Sequence, residues 1–256
     1  MSSSSVANGP GADLDAARSR LVFALDYASI DAAREAVRQV GSEVGLLKVG
    51  LELFIGYGEG ATRLALESGL ELFLDLKLHD IPETVGRAVD RAASLGARYL
   101  TVHAGGGTAM LREAVARAAE RRREGASLEI VAVTVLTSLD DGDLASLGVA
   151  ASTRDHALAL ARLAWEAGVR GFVCSPAEAA ELRRSLGPGA TIITPGVRPS
   201  GPSGDDQKRT STPEGAIHAG ADRLVVGRPI RDAVDPALAA RAIVASIRDA
   251  LGGTPA

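Results

Sequence analysis

The sequence predicts a single-domain (β/α)8 barrel of the TIM type, on three observations. Eight short apolar runs have strand character, segments with helical spacing separate successive runs, and polar or charged residues recur where the runs end. Strand and helix in strict alternation call for parallel strands joined by crossovers, and eight such units fit a closed barrel better than an open sheet. An open doubly wound sheet would carry a Gly-rich dinucleotide turn after its first strand, where this chain has Asp26-Tyr27.

Taken in order, residues 1–17 are rich in Ser, Gly and Ala and lack the hydrophobic block of a signal peptide, so they are expected to form a mobile extension ahead of a barrel domain over 18–252. The first strand is Leu21 to Asp26, followed by a helix from Ser29 to Val40 with a Ser-Ile-Asp start. Asp26 could alternatively cap that helix. The second strand, Gly45 to Gly50, carries Lys48, and the third, Glu71 to Lys77, precedes a helix from Pro82 to Leu95. The fourth, Arg98 to His103, meets the triplet Gly105-Gly106-Gly107, read as a tight turn, before a helix from Gly107 to Arg123. The fifth, Glu129 to Leu136, runs into Thr137, and the sixth, Gly171 to Ser175, into a helix from Pro176 to Leu186. The seventh, Thr191 to Pro195, leads to Arg198, and the eighth, Arg223 to Gly227, to Arg228. Between the last two strands, the Gly-, Pro- and Ser-rich stretch from Val197 to Pro213 is too long for an ordinary barrel turn and reads as a lid, from which Arg198 and Gln207 could reach a ligand.

The third run is the most informative. Side chains alternate faces along a strand, so Asp75 and Lys77 point the same way as Phe73, while Leu74, Leu76 and Leu78 point to the other side. Opposite charges at the end of a buried strand are costly without a polar partner, and in a barrel the C-terminal strand ends are where chemistry is done. His79 shares that face only if the strand stays regular past Lys77, so it and His103 are taken as supporting residues.

Composition excludes several classes. A chain of 256 residues, 46% hydrophobic, can bury one large core, while a net charge of −4 and 3% aromatic residues give no general attraction for nucleic acid or anionic membrane. A single cysteine, Cys174, provides neither a disulfide framework nor a Cys-based zinc site and suits a reducing cytoplasm. No stretch approaches the roughly 18 continuous apolar residues of a membrane span.

Several ordered motifs resemble the orotidine 5′-phosphate decarboxylase family: Asp75-Leu-Lys77-Leu-His-Asp80-Ile-Pro, Lys48-Val-Gly-Leu-Glu-Leu-Phe54, Thr134-Val-Leu-Thr137-Ser138, Cys174-Ser-Pro-Ala-Glu178, Thr194-Pro-Gly-Val-Arg198-Pro and Val226-Gly227-Arg228-Pro-Ile230. The resemblance implies cofactor-free and metal-free conversion of orotidine monophosphate to uridine monophosphate by a cytoplasmic homodimer with shared active sites. It implies that Lys77 donates the proton to C6 of the pyrimidine, that Asp75 faces the departing carboxylate, and that Lys48 contacts the ribose and orients Asp75. Asp80 would enter the partner's site, Asp26 and Thr84 would bind ribose hydroxyls, Thr84 from the partner, and Thr137 would touch the base. Gln207 would bridge base and phosphate, with Arg198, Gly227 and Arg228 at the phosphate end. The chain departs from the family pattern at Glu83, where Asn is common. Asp80 has an alternative role in favouring the next helix by its charge.

Two rival readings are a magnesium-dependent sugar-phosphate decarboxylase or aldolase of the same barrel group and a non-catalytic phosphate-binding barrel. Lys48 argues against the first, since a lysine repels a divalent cation, and Lys77 argues against the second.

Overall fold

The computed structural model of the chain describes residues 10–199 and 211–252. Among them, eight parallel strands close into a barrel in sequence order: β1 (Leu21–Ala24), β2 (Leu46–Gly50), β3 (Glu71–Leu78), β4 (Ala97–His103), β5 (Glu129–Val133), β6 (Gly171–Val173), β7 (Thr191–Thr194) and β8 (Arg223–Val226). Every expected strand is present. Five of them, β1, β5, β6, β7 and β8, leave the ladder one to three residues early, because the chain there turns to build the mouth of the barrel.

The helices are α1 (Pro10–Ser19), α2 (Ile30–Val40), α3 (Leu51–Tyr57), α4 (Glu59–Glu67), α5 (Pro82–Ser94), α6 (Gly107–Arg123), α7 (Asp141–Ser146), α8 (Thr153–Glu166), α9 (Pro176–Leu186), α10 (Pro213–His218), α11 (Arg228–Arg231) and α12 (Pro236–Gly252). Ser29, not Asp26, caps α2, its side chain accepting from the Ala32 amide. Pro82 opens α5 and Pro176 opens α9, where a missing amide hydrogen is harmless. The boundary expected between residues 17 and 18 falls inside α1. From Pro10 the chain is helical, packed against α12, with Ala17 fully buried, because this alanine-bearing turn covers apolar surface at the seam between β1 and the last helix. No helix among the described residues is long and apolar enough to cross a membrane.

Strand alternation divides the core in two. Leu21, Phe23, Leu47, Leu72, Leu74, Leu100 and Ile192 face the helices, whereas Val22, Leu46, Phe73, Tyr99, Val131, Ile193 and Val225 fill the barrel interior. The Phe73 and Tyr99 rings meet edge to face at 5.8 Å, and Arg98 and Arg223 lie over the Tyr99 ring. Two residues further along, the inward positions become Ala24, Lys48, Asp75, Thr101 and Gly227. The apolar layer is thus the floor on which a polar layer stands.

Candidate active site

The polar layer opens into a cavity of about 520 Å³ at the C-terminal face, and Asp26, Lys48, Asp75, Lys77, Thr137, Arg198, Gly227 and Arg228 all line it. Eight of the residues singled out from the sequence therefore converge on one space. Asp80 and Thr84 do not: both are exposed, outside this cavity, on the surface where α5 begins. The Asp80 carboxylate accepts the Ile81 amide at 2.6 Å, but no side chain caps the start of α5. Glu83 is likewise exposed and pairs with Arg87 at 3.3 Å. Gln207 and most of the expected lid lie outside the described residues. The lid's two ends do not: Val197 bridges Ser211, the Arg198 amide donates to the Ser211 carbonyl at 2.8 Å, and the Ser211 amide donates to Gly196 at 3.2 Å. The segment therefore leaves and rejoins the barrel at one point on the cavity rim.

Four charges, Asp26 from the turn after β1 and Lys48, Asp75 and Lys77 from β2 and β3, form an alternating array in the cavity. The Lys48 ammonium is 3.2 Å from Asp26 Oδ1 and 3.5 Å from Asp75 Oδ2, and the Lys77 ammonium donates to Asp75 Oδ1 at 2.9 Å. Strand stagger creates the room. Asp75 stands opposite Gly50 in the ladder, and a Cβ at Gly50 would lie 3.1 Å from the Lys48 nitrogen and 3.4 Å from Asp26. A side chain at position 50 would press on the Lys48 nitrogen, which would have to give by a few tenths of an ångström.

Burial alone would lower the pKa of the Lys48 ammonium, but Asp75 and Asp26 together outweigh it and hold the group above its ordinary value. For Asp75 the balance is mirrored. Burial pushes its carboxyl up, while Lys48, Lys77 and the hydroxyl of Thr101 pull it below the usual carboxylate value. The site thus holds an ionised acid between two ammonium groups.

At β3 the strand is not regular. Lys77 adopts φ +49°, the sole positive φ among the described non-glycine residues, and the ladder with β4 slips between Leu74 and Leu78. Lys77 nonetheless enters the cavity beside Asp75. Past Leu78 the chain leaves the strand, and the His79 ring stacks on His103 at 5.2 Å with an interplanar angle of 10°, neither ring lining the cavity. Burial first, then His79, His156 and Lys77, lowers the His103 pKa, and its Nδ1 accepts the Gly105 amide at 3.1 Å.

Sequence reasoning missed three cavity groups or supports. Arg231 lines the mouth, donating to the Asp26 carbonyl at 3.0 Å and pairing with Asp232 at 2.6 Å. Cys174 is a core residue as expected, 1% exposed, and what was missed is that it also borders the cavity. Thr101, fully buried, donates to Asp75 Oδ1 at 2.9 Å and accepts the Lys77 amide at 2.8 Å. The inward parity of Tyr99, Thr101 and His103 was the available signal for the last.

Residues 19–243 match the model of the Orotidine 5′-phosphate decarboxylase / HUMPS family. A protein named orotidine 5′-phosphate decarboxylase from Anaeromyxobacter sp. (strain K) is 51% identical over 228 residues, covering 89% of this chain and 98% of that one. Another of the same name, from Thermobifida fusca (strain YX), is 49% identical over 231 residues, covering 89% and 95%. Among solved structures, orotidine 5′-phosphate decarboxylase from Lactobacillus acidophilus superposes with a TM-score of 0.78 at 33% identity, covering 89% of this chain and 98% of that one.

Proposed function

The chain belongs to the orotidine 5′-phosphate decarboxylase / HUMPS family, and on that premise we propose that it converts orotidine monophosphate to uridine monophosphate without a cofactor, Lys77 delivering the proton to C6. The family and the names of the relatives support decarboxylation in pyrimidine nucleotide synthesis. The assignment of roles is carried by one observation: the Lys48, Asp75, Lys77 array in a cavity that Arg198 and Arg228 also line.

Loss of carbon dioxide from a pyrimidine carbon leaves an electron pair that no neighbouring carbonyl readily absorbs. A fixed ammonium beside that carbon stabilises the developing charge and then supplies the proton. Lys77, tied to Asp75 at 2.9 Å, has the chemistry and the position. Asp75 acts on the ground state. Held ionised, it repels a substrate carboxylate about 4 Å away by about 4 kcal/mol at an effective dielectric near 20. Barrier lowering of about 20 kcal/mol or more is the scale of the most proficient enzymes, so charge repulsion is a minor part. The remainder is assigned to binding energy at the phosphate, where Gly227 and Arg228 receive the dianion, and to the lid, where Gln207 would bridge base and phosphate.

Asp26 serves the ribose, and Thr137 serves the base. Asp80 and Thr84, exposed beside the 65% exposed Ile81, supply the neighbouring site of a homodimer. A cytoplasmic setting suits an enzyme whose one cysteine is buried and unbridged. Against the magnesium-dependent reading, Lys48 puts a positive charge between Asp26 and Asp75, the carboxylates that a metal would need.

The test is loss of the ultraviolet absorbance of orotidine monophosphate by purified protein with chelator present. Activity that needs added magnesium, or that appears only with a sugar phosphate, would overturn the reading.

A further inference from the structure

We propose that Thr101 is a positioning residue whose hydroxyl locks Asp75 and Lys77 into their reactive arrangement, an inference that rests on the decarboxylase reading. The ladder pairs Leu74 with Leu100 and Leu78 with Val102, so three residues of β3, Asp75 to Lys77, are set against Thr101 alone. A bulge of this kind strips backbone amides of their ladder partners. At Lys77 the Thr101 hydroxyl takes the place of the missing carbonyl, accepting the amide at 2.8 Å.

The direction of the second bond follows from the first. An amide can only donate, so Thr101 Oγ1 is its acceptor, and the single hydroxyl proton is left for Asp75 Oδ1, 2.9 Å away. Asp75 must accept, which is what an ionised carboxylate does. The same Oδ1 accepts from the Lys77 ammonium at 2.9 Å. A closed ring results, running from the Lys77 amide through Thr101 and Asp75 back to the Lys77 side chain.

That ring bears on geometry as well as charge. Lys77 holds φ +49°, a conformation that a lysine seldom adopts and that surrounding bonds must enforce. Thr101 is 0% exposed, so its hydroxyl bonds to these two partners and not to bulk solvent. Its role is therefore to aim the Lys77 ammonium, not to touch the reacting atoms.

Thr101→Val keeps the shape and removes both bonds, and Thr101→Ser keeps both bonds and removes the methyl. The valine variant is expected to lose about ten- to hundredfold in kcat, the scale of a buried hydrogen bond to a charged group. Its affinity for uridine monophosphate, which lacks the carboxyl, should stay within about twofold, because the phosphate and ribose contacts lie elsewhere. Hydrogen exchange at the Lys77 amide should accelerate in the valine variant alone, and serine should restore kcat to within about threefold of the native enzyme. Unchanged kcat and unchanged Lys77 exchange in Thr101→Val would overturn the inference, as would a serine variant no better than valine. If the native protein leaves orotidine monophosphate untouched, the decarboxylase reading fails instead, and the exchange rates still decide whether Thr101 holds Lys77.

Discussion

Replacing Lys48 by methionine removes one charge from the centre of the array while keeping most of its volume. The Lys48 ammonium is 3.5 Å from Asp75, both side chains being largely shielded at 11% and 13% exposure. At an effective dielectric of 20 their attraction is about 5 kcal/mol. The 3.2 Å pair with Asp26 adds little, because that acid is half exposed and such pairs contribute about 1 kcal/mol or less. Losing lysine's own burial penalty offsets part of the total, so the expected destabilisation at neutral pH is about 3 kcal/mol, the lower end for breaking a buried pair. Urea unfolding of Lys48→Met, of Asp75→Asn and of the double variant measures this as a cycle. The double variant should be more stable than Lys48→Met alone, with a coupling of at least about 1 kcal/mol, since it no longer buries an acid short of a partner. Additive losses, with no recovery in the double variant, would refute the electrostatic account of this site.

Lys77→Ala should abolish nearly all loss of orotidine monophosphate absorbance while retaining uridine monophosphate binding by calorimetry; appreciable residual turnover would remove Lys77 from the proton-delivery role. Arg228→Ala should raise KM by about tenfold to hundredfold, as expected for loss of a charge-assisted contact to phosphate, and a KM unchanged from native would relocate the phosphate site. Asp80→Ala should be inactive yet as stable as native protein, and mixing it with Lys77→Ala should restore roughly a quarter of native activity through hybrid dimers having one complete site. No recovery on mixing would argue against shared sites. For pH, the Asp75 carboxyl titrates below its ordinary 3.8, so its stabilisation is present above that value and is lost as pH falls through the lower folded value. Lys48 titrates above 10.5, so its contribution is complete below that and is lost as pH rises through the folded value. Urea midpoints across pH should show both losses, and Asp75→Asn should remove the acid one; an unaltered acid limb in that variant would contradict the assignment.

The strand ends are where sequence reading and structure meet most closely. Alternation along β3 is a local property, so the common direction of Phe73 and Asp75 was legible without any neighbour, whereas Lys77 reaches the cavity through a bulge that alternation does not foresee; the ordered motifs pointed to the family. The reading was weakest where local pattern carries no record of packing. The alanine-bearing turn ahead of β1 looks like a solvated leader, and only its contact with α12 makes Ala17 a core residue. Thr101 looks like one more β-branched strand residue until the bulge in β3 sets it against three residues. Arg231 lies one turn past a motif that drew attention to Arg228, and nothing in its spacing says that it bends back to Asp26.

Hydrophobic periodicity, turn residues and ordered motifs were enough, from the sequence by itself, to determine eight strands, four of the helices between them and the identity of the acids and lysines at the barrel mouth. Tertiary structure alone decided how near those charges come to one another. Lys48, Asp75 and Thr101 belong to three different strands and Asp26 to the turn after β1, and their separations follow from inter-strand stagger, from the gap left at Gly50 and from the slip between Leu74 and Leu78. Coulomb energy and hydrogen bonding depend on those distances to within tenths of an ångström, and closure of the barrel is the event that sets them.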